Sequence, residues 1–338
     1  MADVLGGIRK KTFVVVGRVG IDFCIDPPST KTEHAEVATV SMGGSSANIA
    51  AGLVKLGSEA ALVTCVSDDS IGRYCTNQLG HYGVDRRHVR AVGGEARNSL
   101  AVYESTIEDH QTVIYRNGAA DFEMTTADVE AVDYSRFGTL ITAGTVFAAE
   151  PSRSAAFRAF ELARAAGLPV IFDIDYRPYS WPSAEVASDV LSRAGALSDV
   201  IIGNDEEFGF MAGDYARGLD KARELAALGA GIVVYKMGPE GAITLSGGDE
   251  IRTGIYRTDA LKPEGAGDSF MAGLMASLAA GFPLREAVLR GSACAAITVS
   301  APGCAPAMPN TEKLEDFLAR HPGPSAVNKE PSDAHPAL

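Results

Sequence analysis

Short apolar, β-branched runs alternate with helix-like stretches along most of this chain, and that alternation is what most limits the folds open to it. Residues 13–16, 61–66, 139–142, 170–173, 200–202 and 232–236 read as strands. Between them, 47–56, 71–82, 154–166, 206–211 and 219–228 carry helical patterns. Gly57, Gly83, Gly167 and Gly229 each follow one of these helical stretches, where a glycine accepts the left-handed conformation that ends a helix. Strands that recur through helical crossovers pair in parallel and are covered on both faces. The expectation is an α/β fold, a mostly parallel central sheet flanked by helices.

Two regions interrupt the pattern. Residues 21–40 and 96–115 look extended, with no helix between their apolar segments. They predict a small β-sheet lid, with segments at about 18–42 and 96–117. The stretch 321–338 is rich in Pro, Ser, Ala and charge and predicts a tail that does not pack. Residues 12–320 then form one domain. Of the 338 residues, 46% are hydrophobic, enough for a large core. The net charge of −13 argues against a nucleic-acid partner, because such a surface repels phosphate backbones. Five cysteines without a Cys-x-x-Cys fit a reducing cytoplasm. No apolar run reaches membrane-spanning length. The short run 12–16 ends in Gly-Arg and reads as a first strand rather than a signal peptide.

Two motifs carry chemistry. Gly265-Ala266-Gly267-Asp268 places three small residues before an acid at the start of a long apolar helix. Small residues let backbone N–H groups approach a ligand, and a helix N-terminus offers unpaired donors and partial positive charge. Such a turn suits the charge on a transferring phosphoryl group. The plainer reading is an acid that stabilises its helix. The second motif, Met42-Gly43-Gly44-Ser45-Ser46-Ala47-Asn48, opens a helix with a double glycine and an amide. It reads equally as a site for sugar hydroxyls or as an ordinary turn.

Taken together and in order, these motifs resemble the two signatures of the PfkB, or ribokinase-like, carbohydrate kinases. Asn204-Asp205-Glu206-Glu207 is similar to the family's Asn-x-x-Glu, and 234–241 to its nucleotide-side strand and turn. The resemblance implies ATP as phosphoryl donor and Mg2+ as its counterion, with a β lid over the sugar. It implies Asp268 as the base and Gly265, Ala266 and Gly267 as the anion hole. Asp22, Gly43, Gly44 and Asn48 would bind the sugar. Asn204, Glu207, Lys236, Gly238 and Gly241 would serve the nucleotide, with Glu207 also toward the metal. Family members often carry Asn where this chain has Gly20, so one sugar contact has to come from elsewhere.

Arg116, after Tyr115, and Arg177, in Asp173-Ile174-Asp175-Tyr176-Arg177-Pro178, stand where relatives acting on keto-deoxy sugar acids bind substrate. A guanidinium pairs with a carboxylate through two parallel hydrogen bonds. The implied substrate is such an acid, 5-dehydro-2-deoxygluconate of inositol breakdown first and 2-dehydro-3-deoxygluconate second. The family also makes a homodimer through the lid an expectation. Lys262 stands where relatives that use a monovalent cation carry an acid. A fixed ammonium there implies activity without potassium, unless the side chain simply points to solvent. Other classes fit less well. Gly17 and Gly20 do not complete a dinucleotide-binding Gly-x-Gly-x-x-Gly, and no P-loop sequence occurs. A non-catalytic sugar sensor on the same fold would have little use for Asp268, Asn204 and Glu207 together.

Overall fold

The computed structural model describes residues 2–106, 109–321, 323 and 324. Its strands are β1 (Thr12–Val16), β2 (Gly20–Asp26), β3 (Val37–Gly43), β4 (Glu59–Ser67), β5 (Asp85–Val92), β6 (Ser99–Glu104), β7 (Thr112–Tyr115), β8 (Thr139–Ala143), β9 (Val170–Asp173), β10 (Val200–Asn204), β11 (Ile232–Lys236), β12 (Ala242–Ser246) and β13 (Asp249–Thr253). The helices are α1 (Ala2–Ile8), α2 (Ser45–Lys55), α3 (Ser70–His81), α4 (Thr126–Glu130), α5 (Ser152–Ala165), α6 (Ala184–Ala196), α7 (Asp205–Ala212), α8 (Gly218–Ala227), α9 (Ala266–Ala279), α10 (Leu284–Val299) and α11 (Thr311–Arg320).

Nine strands form the main sheet in the order β13-β12-β11-β10-β9-β8-β1-β4-β5. It is parallel from β11 to β5, while β12 and β13 add an antiparallel edge. Alternate residues of a strand face opposite sides, and β1 shows the result. Val14 and Val16 enter a core with residues of α5 to α8, whereas Phe13 and Val15 enter a second core with α2, α3, α9 and α10. The fully buried Ile8 of α1 belongs to that second core, so packed structure begins ahead of Thr12.

The two helix-free regions fold together as a separate sheet, ordered β3-β2-β6-β7. It is not a pair of isolated hairpins. β2 and β6 pair in parallel at its centre, each flanked by an antiparallel partner. Of the tail expected at 321–338, all but His321, Gly323 and Pro324 lies outside the described residues.

Open parallel sheets bind ligands beyond the carboxyl ends of their strands. Here β9 ends on Asp173, β10 on Asn204 and β11 on Lys236, all at that edge. The chain leaving β1 turns at Arg18 into the lid strand β2, which roofs the same edge. Among the described residues, no helix is long and apolar enough to cross a membrane.

Candidate active site

A cavity of about 660 Å3 lies between the two sheets. Its lining brings together Asp22, Gly44, Asn48, Arg177, Asn204, Glu207, Lys236, Gly238, Gly241 and the whole turn Gly265-Ala266-Gly267-Asp268. These residues come from positions nearly 250 apart in the chain. Gly43 and Arg116 do not line it.

The turn and its acid are built by α9. Gly265 adopts φ +79°, a left-handed conformation that glycine takes without strain. A Cβ there would sit 3.1 Å from the Cβ of Cys304, because the turn backs directly onto that residue. Gly267 and Asp268 follow in the first helical turn, whose amides have no intrahelical acceptor. The Ala266 amide makes only a long, 3.4 Å bond to the Pro263 carbonyl. Lys236 points at the same place: its ammonium would be 3.5 Å from a Cβ on Gly267.

Asp268 is fixed from across the site by α2. Asn48 Nδ2 donates to Asp268 Oδ2 at 2.8 Å. The two helices approach closely enough because Gly52 faces Ala272; a Cβ on Gly52 would lie 2.6 Å from the Ala272 Cβ. Burial, then the charge of Asp175, pushes the Asp268 carboxyl up to about 6, against the pull of Asn48, Arg177 and Arg18. Asp22 is pushed up to about 7, again chiefly by burial, with the Arg18 charge opposing. Gly43 shapes this region without lining it. A Cβ on Gly43 would come within 1.9 Å of Asp22 Oδ1, so the carboxylate occupies the space a side chain would take.

Asn204 and Glu207 form a reciprocal cap on α7. Asn204 Oδ1 accepts from the Glu207 amide, and Glu207 Oε2 accepts from the Asn204 amide, both at 2.8 Å. Glu207 Oε1 is left toward Arg177, 4.0 Å away. Burial pushes the Glu207 carboxyl up, and Asp173 beside it is held well above the ordinary carboxylate range for the same reason. In both, Lys236 pulls the other way.

The two arginines singled out by sequence part company here. Arg177 lines the cavity, half-exposed, with Nη2 2.8 Å from Asp175 Oδ1. Arg116 is buried below the site. It donates to the Asp121 carboxylate and the Thr145 carbonyl and stacks on Phe122 at 4.1 Å. Arg116 is absent from the cavity lining and its guanidinium is engaged by Asp121, Thr145 and Phe122, so the expectation that it meets substrate is corrected to a place in the fold beneath the site. Lys262, for its part, is fully buried rather than pointing to solvent, and its ammonium donates to the Glu264 carbonyl at 2.6 Å.

Sequence reasoning passes over several lining residues. Arg18 and Asp175 sit within or beside motifs that assign neither a role. Asp175 accepts from Thr145 Oγ1 at 3.3 Å and from the Ser45 hydroxyl, tying the end of β9 to α2. Glu264 accepts from Thr112 Oγ1 of the lid strand β7 at 2.8 Å, so the lid touches the turn itself.

Comparison with known proteins decides the family. Residues 10–311 match the family model of the pfkB family carbohydrate kinases. The chain belongs to this family. As a carbohydrate kinase it is 36% identical over 315 residues to the 5-dehydro-2-deoxygluconokinase of Photobacterium profundum, covering 92% of this chain and 95% of that one. A 5-dehydro-2-deoxygluconokinase of Geobacillus kaustophilus is 35% identical, covering 94% and 96%. Among solved structures, a PfkB protein from a Polaromonas species superposes with a TM-score of 0.76 at 27% identity, covering 87% of this kinase and 98% of that chain. A fructokinase from Vibrio cholerae superposes with a TM-score of 0.79 at 22% identity, covering 91% and 98%, and shares the fold.

Proposed function

We propose that this carbohydrate kinase transfers the γ-phosphoryl group of ATP to the primary hydroxyl of a keto-deoxy sugar acid, 5-dehydro-2-deoxygluconate. The observation that carries the chemistry is Asp268, held by Asn48 at the N-terminus of α9 within the cavity. The relatives' names carry the substrate, since that likeness runs through more than nine-tenths of both chains. The isomeric 2-dehydro-3-deoxygluconate is the alternative substrate.

In this reading the sugar lies between Asp22, Asn48 and the lid, and its terminal hydroxyl gives its proton to Asp268. Asn48 occupies one carboxylate oxygen and leaves the other for the hydroxyl. The Gly267 and Asp268 amides and the Lys236 ammonium face the charge that develops on the phosphoryl oxygens. Thr253 to Ile255, with Gly238 and Gly241, offer the nucleotide side of the cavity.

Six carboxylates line the cavity (Asp22, Asp173, Asp175, Glu207, Glu264 and Asp268) against three fixed cations, Arg18, Arg177 and Lys236. Burial pushes several of these carboxyls up against the pull of the cations. That donor set fits Mg2+ arriving with the phosphates of ATP. Among the described residues, no group of three or more His, Cys, Asp or Glu side chains could hold a metal ion, and magnesium is commonly held by one or two carboxylates plus substrate phosphate. Glu207 would hold it, with Asn204 orienting Glu207, and the ion would offset phosphate charge.

Exposed Val37, Val40, Val113 and Tyr115 on the lid sheet support the homodimer reading. Use of ATP fits a cytoplasmic setting. The test of the proposed activity is ADP release by the purified chain with magnesium and ATP over a panel of sugar acids and neutral ketoses. Turnover with neutral ketoses and none with the acids contradicts the substrate.

Lys262 adds a prediction. Its ammonium, fixed on the Glu264 carbonyl next to the anion-hole turn, supplies there the positive charge that a bound monovalent cation could bring. Turnover at constant ionic strength is expected to stay unchanged when potassium is replaced by a bulky organic cation. A clear rise on restoring potassium contradicts this role for Lys262.

A further inference from the structure

Arg18 is 7% exposed and lines the cavity. Its Nη1 donates to Ser99 Oγ at 3.0 Å, while its Nε is buried with no hydrogen-bond partner. Of the arginines at or below the site, Arg177 is paired with Asp175 and Arg116 with Asp121. Among the described residues, Arg18 has no carboxylate within ion-pair distance. A buried guanidinium without a directly bonded carboxylate is costly to keep, and an anion brought from outside would supply the missing partner.

The backbone holds this side chain in place. The Arg18 carbonyl accepts from the Ala47 amide at the start of α2 at 3.2 Å. The space beside the guanidinium exists because residue 20 has no side chain. A Cβ on Gly20 would meet the Ser99 carbonyl and hydroxyl oxygens, each at 2.7 Å, and would stand 3.5 Å from Arg18 Nη1. The pair Arg18–Ser99 thus fills what would otherwise be the side-chain position of a lid strand. Arg18 also acts electrostatically on Asp22, Asp175 and Asp268, which places it on the sugar side of the cavity.

We infer that Arg18 is the specificity-determining residue that binds the carboxylate of the substrate. This rests on the sugar-acid reading above. In a six-carbon keto-deoxy acid the carboxylate and the primary hydroxyl are at opposite ends. Anchoring one end at Arg18 therefore presents the other to Asp268. The competing role is purely internal, in which the Arg18 charge serves only to keep Asp22 ionised.

The experiment compares the keto-deoxy acid with its neutral carboxamide, in wild type, Arg18→Met and Arg18→Lys. Arg18→Met is expected to lower kcat/KM for the acid by about 10²-fold and for the carboxamide by less than about threefold. The KM for ATP stays unchanged. Arg18→Lys keeps the charge, loses the fork and falls between the two. Wild type melts higher when the acid is added, and in Arg18→Met the acid no longer raises the melting temperature. Equal losses on acid and carboxamide would assign Arg18 to Asp22 and overturn the inference, as would an undiminished rate on the acid. If Arg18→Met fails to fold, the acid-to-carboxamide ratio of Arg18→Lys decides, and an unchanged ratio overturns the inference. A wild-type enzyme that phosphorylates neutral sugars and not the acid fails at the earlier step, the substrate itself, before any variant is made.

Discussion

Asp268→Asn is expected to lower kcat by about 10²–10⁴-fold, the usual contribution of a general base. The replacement keeps the shape of the side chain, and its amide oxygen still accepts from Asn48 Nδ2, so sugar binding should persist. What disappears is the capacity to take the hydroxyl proton. The pH dependence gives the same test a second readout. Only the ionised carboxylate works as a base, and its pKa is pushed up to about 6. Wild-type kcat should rise through about pH 6 and level off above it, whereas residual activity of the variant should lack that limb. Stability moves in the opposite sense. A carboxyl raised above its ordinary 3.8 favours folding while protonated and loses that contribution as pH rises through about 6. The variant should therefore melt no lower than wild type at pH 8, which separates lost catalysis from lost folding. A near-normal kcat would mean that Asp268 is not the base.

Gly43→Ala is expected to reduce kcat/KM for the sugar by about 10²-fold, although residue 43 contributes no side chain and lies outside the cavity lining. The added methyl would fall 1.9 Å from Asp22 Oδ1 and 2.3 Å from its Cγ. The Asp22 carboxylate is the movable partner, and it has to leave its place. A shift of about 1 Å in a positioning group is enough for a loss of this size. The strand pairing of β2 with β3 through Gly20 and Gly43 keeps the backbone from yielding instead. Steady-state kinetics on the sugar, with ATP saturating, is the measurement. An unchanged kcat/KM would show that Asp22 does not position the sugar.

The strands of the parallel core were legible because each is a compact apolar run with glycine-closed helices between. β11 falls on the predicted residues 232–236, and β1 extends the predicted run by one residue. The edges were not legible, for a reason that β5 makes plain. Its sequence Asp85-Arg86-Arg87-His88-Val89-Arg90-Ala91-Val92 is half charged because this edge strand is largely open to water, so it lacks the apolar run that marked the others. The lid was visible as two helix-free regions, but the parallel join of β2 to β6 unites residues some 80 apart and leaves no local trace.

The candidate site followed the same rule. Asp268 and Asn48 sit on motifs that read as helix starts, Asn204 and Glu207 on one carried by the family resemblance, and all four line one cavity. The arginines could not be sorted that way. Arg116 looked like a ligand because the sequence does not reveal that Asp121, five residues on, folds back to pair with it. Arg18 went unassigned because its importance lies in a missing partner, which only the three-dimensional arrangement shows. Lys262 was ambiguous between solvent and interior, and its burial is decided by distant chain: the Leu261 and Lys262 amides both donate to the Val299 carbonyl at the end of α10.

The most direct test of the central claim is the identity of the product. The purified chain, incubated with magnesium, ATP and 5-dehydro-2-deoxygluconate, would be followed by phosphorus NMR and by mass. The account predicts one phosphate monoester on the terminal CH2 group, formed one for one with ADP and at least about 10²-fold more slowly when Asp268 is replaced by Asn. ADP formed without any sugar ester, or an ester formed on neutral ketoses while the acid is left untouched, would contradict it.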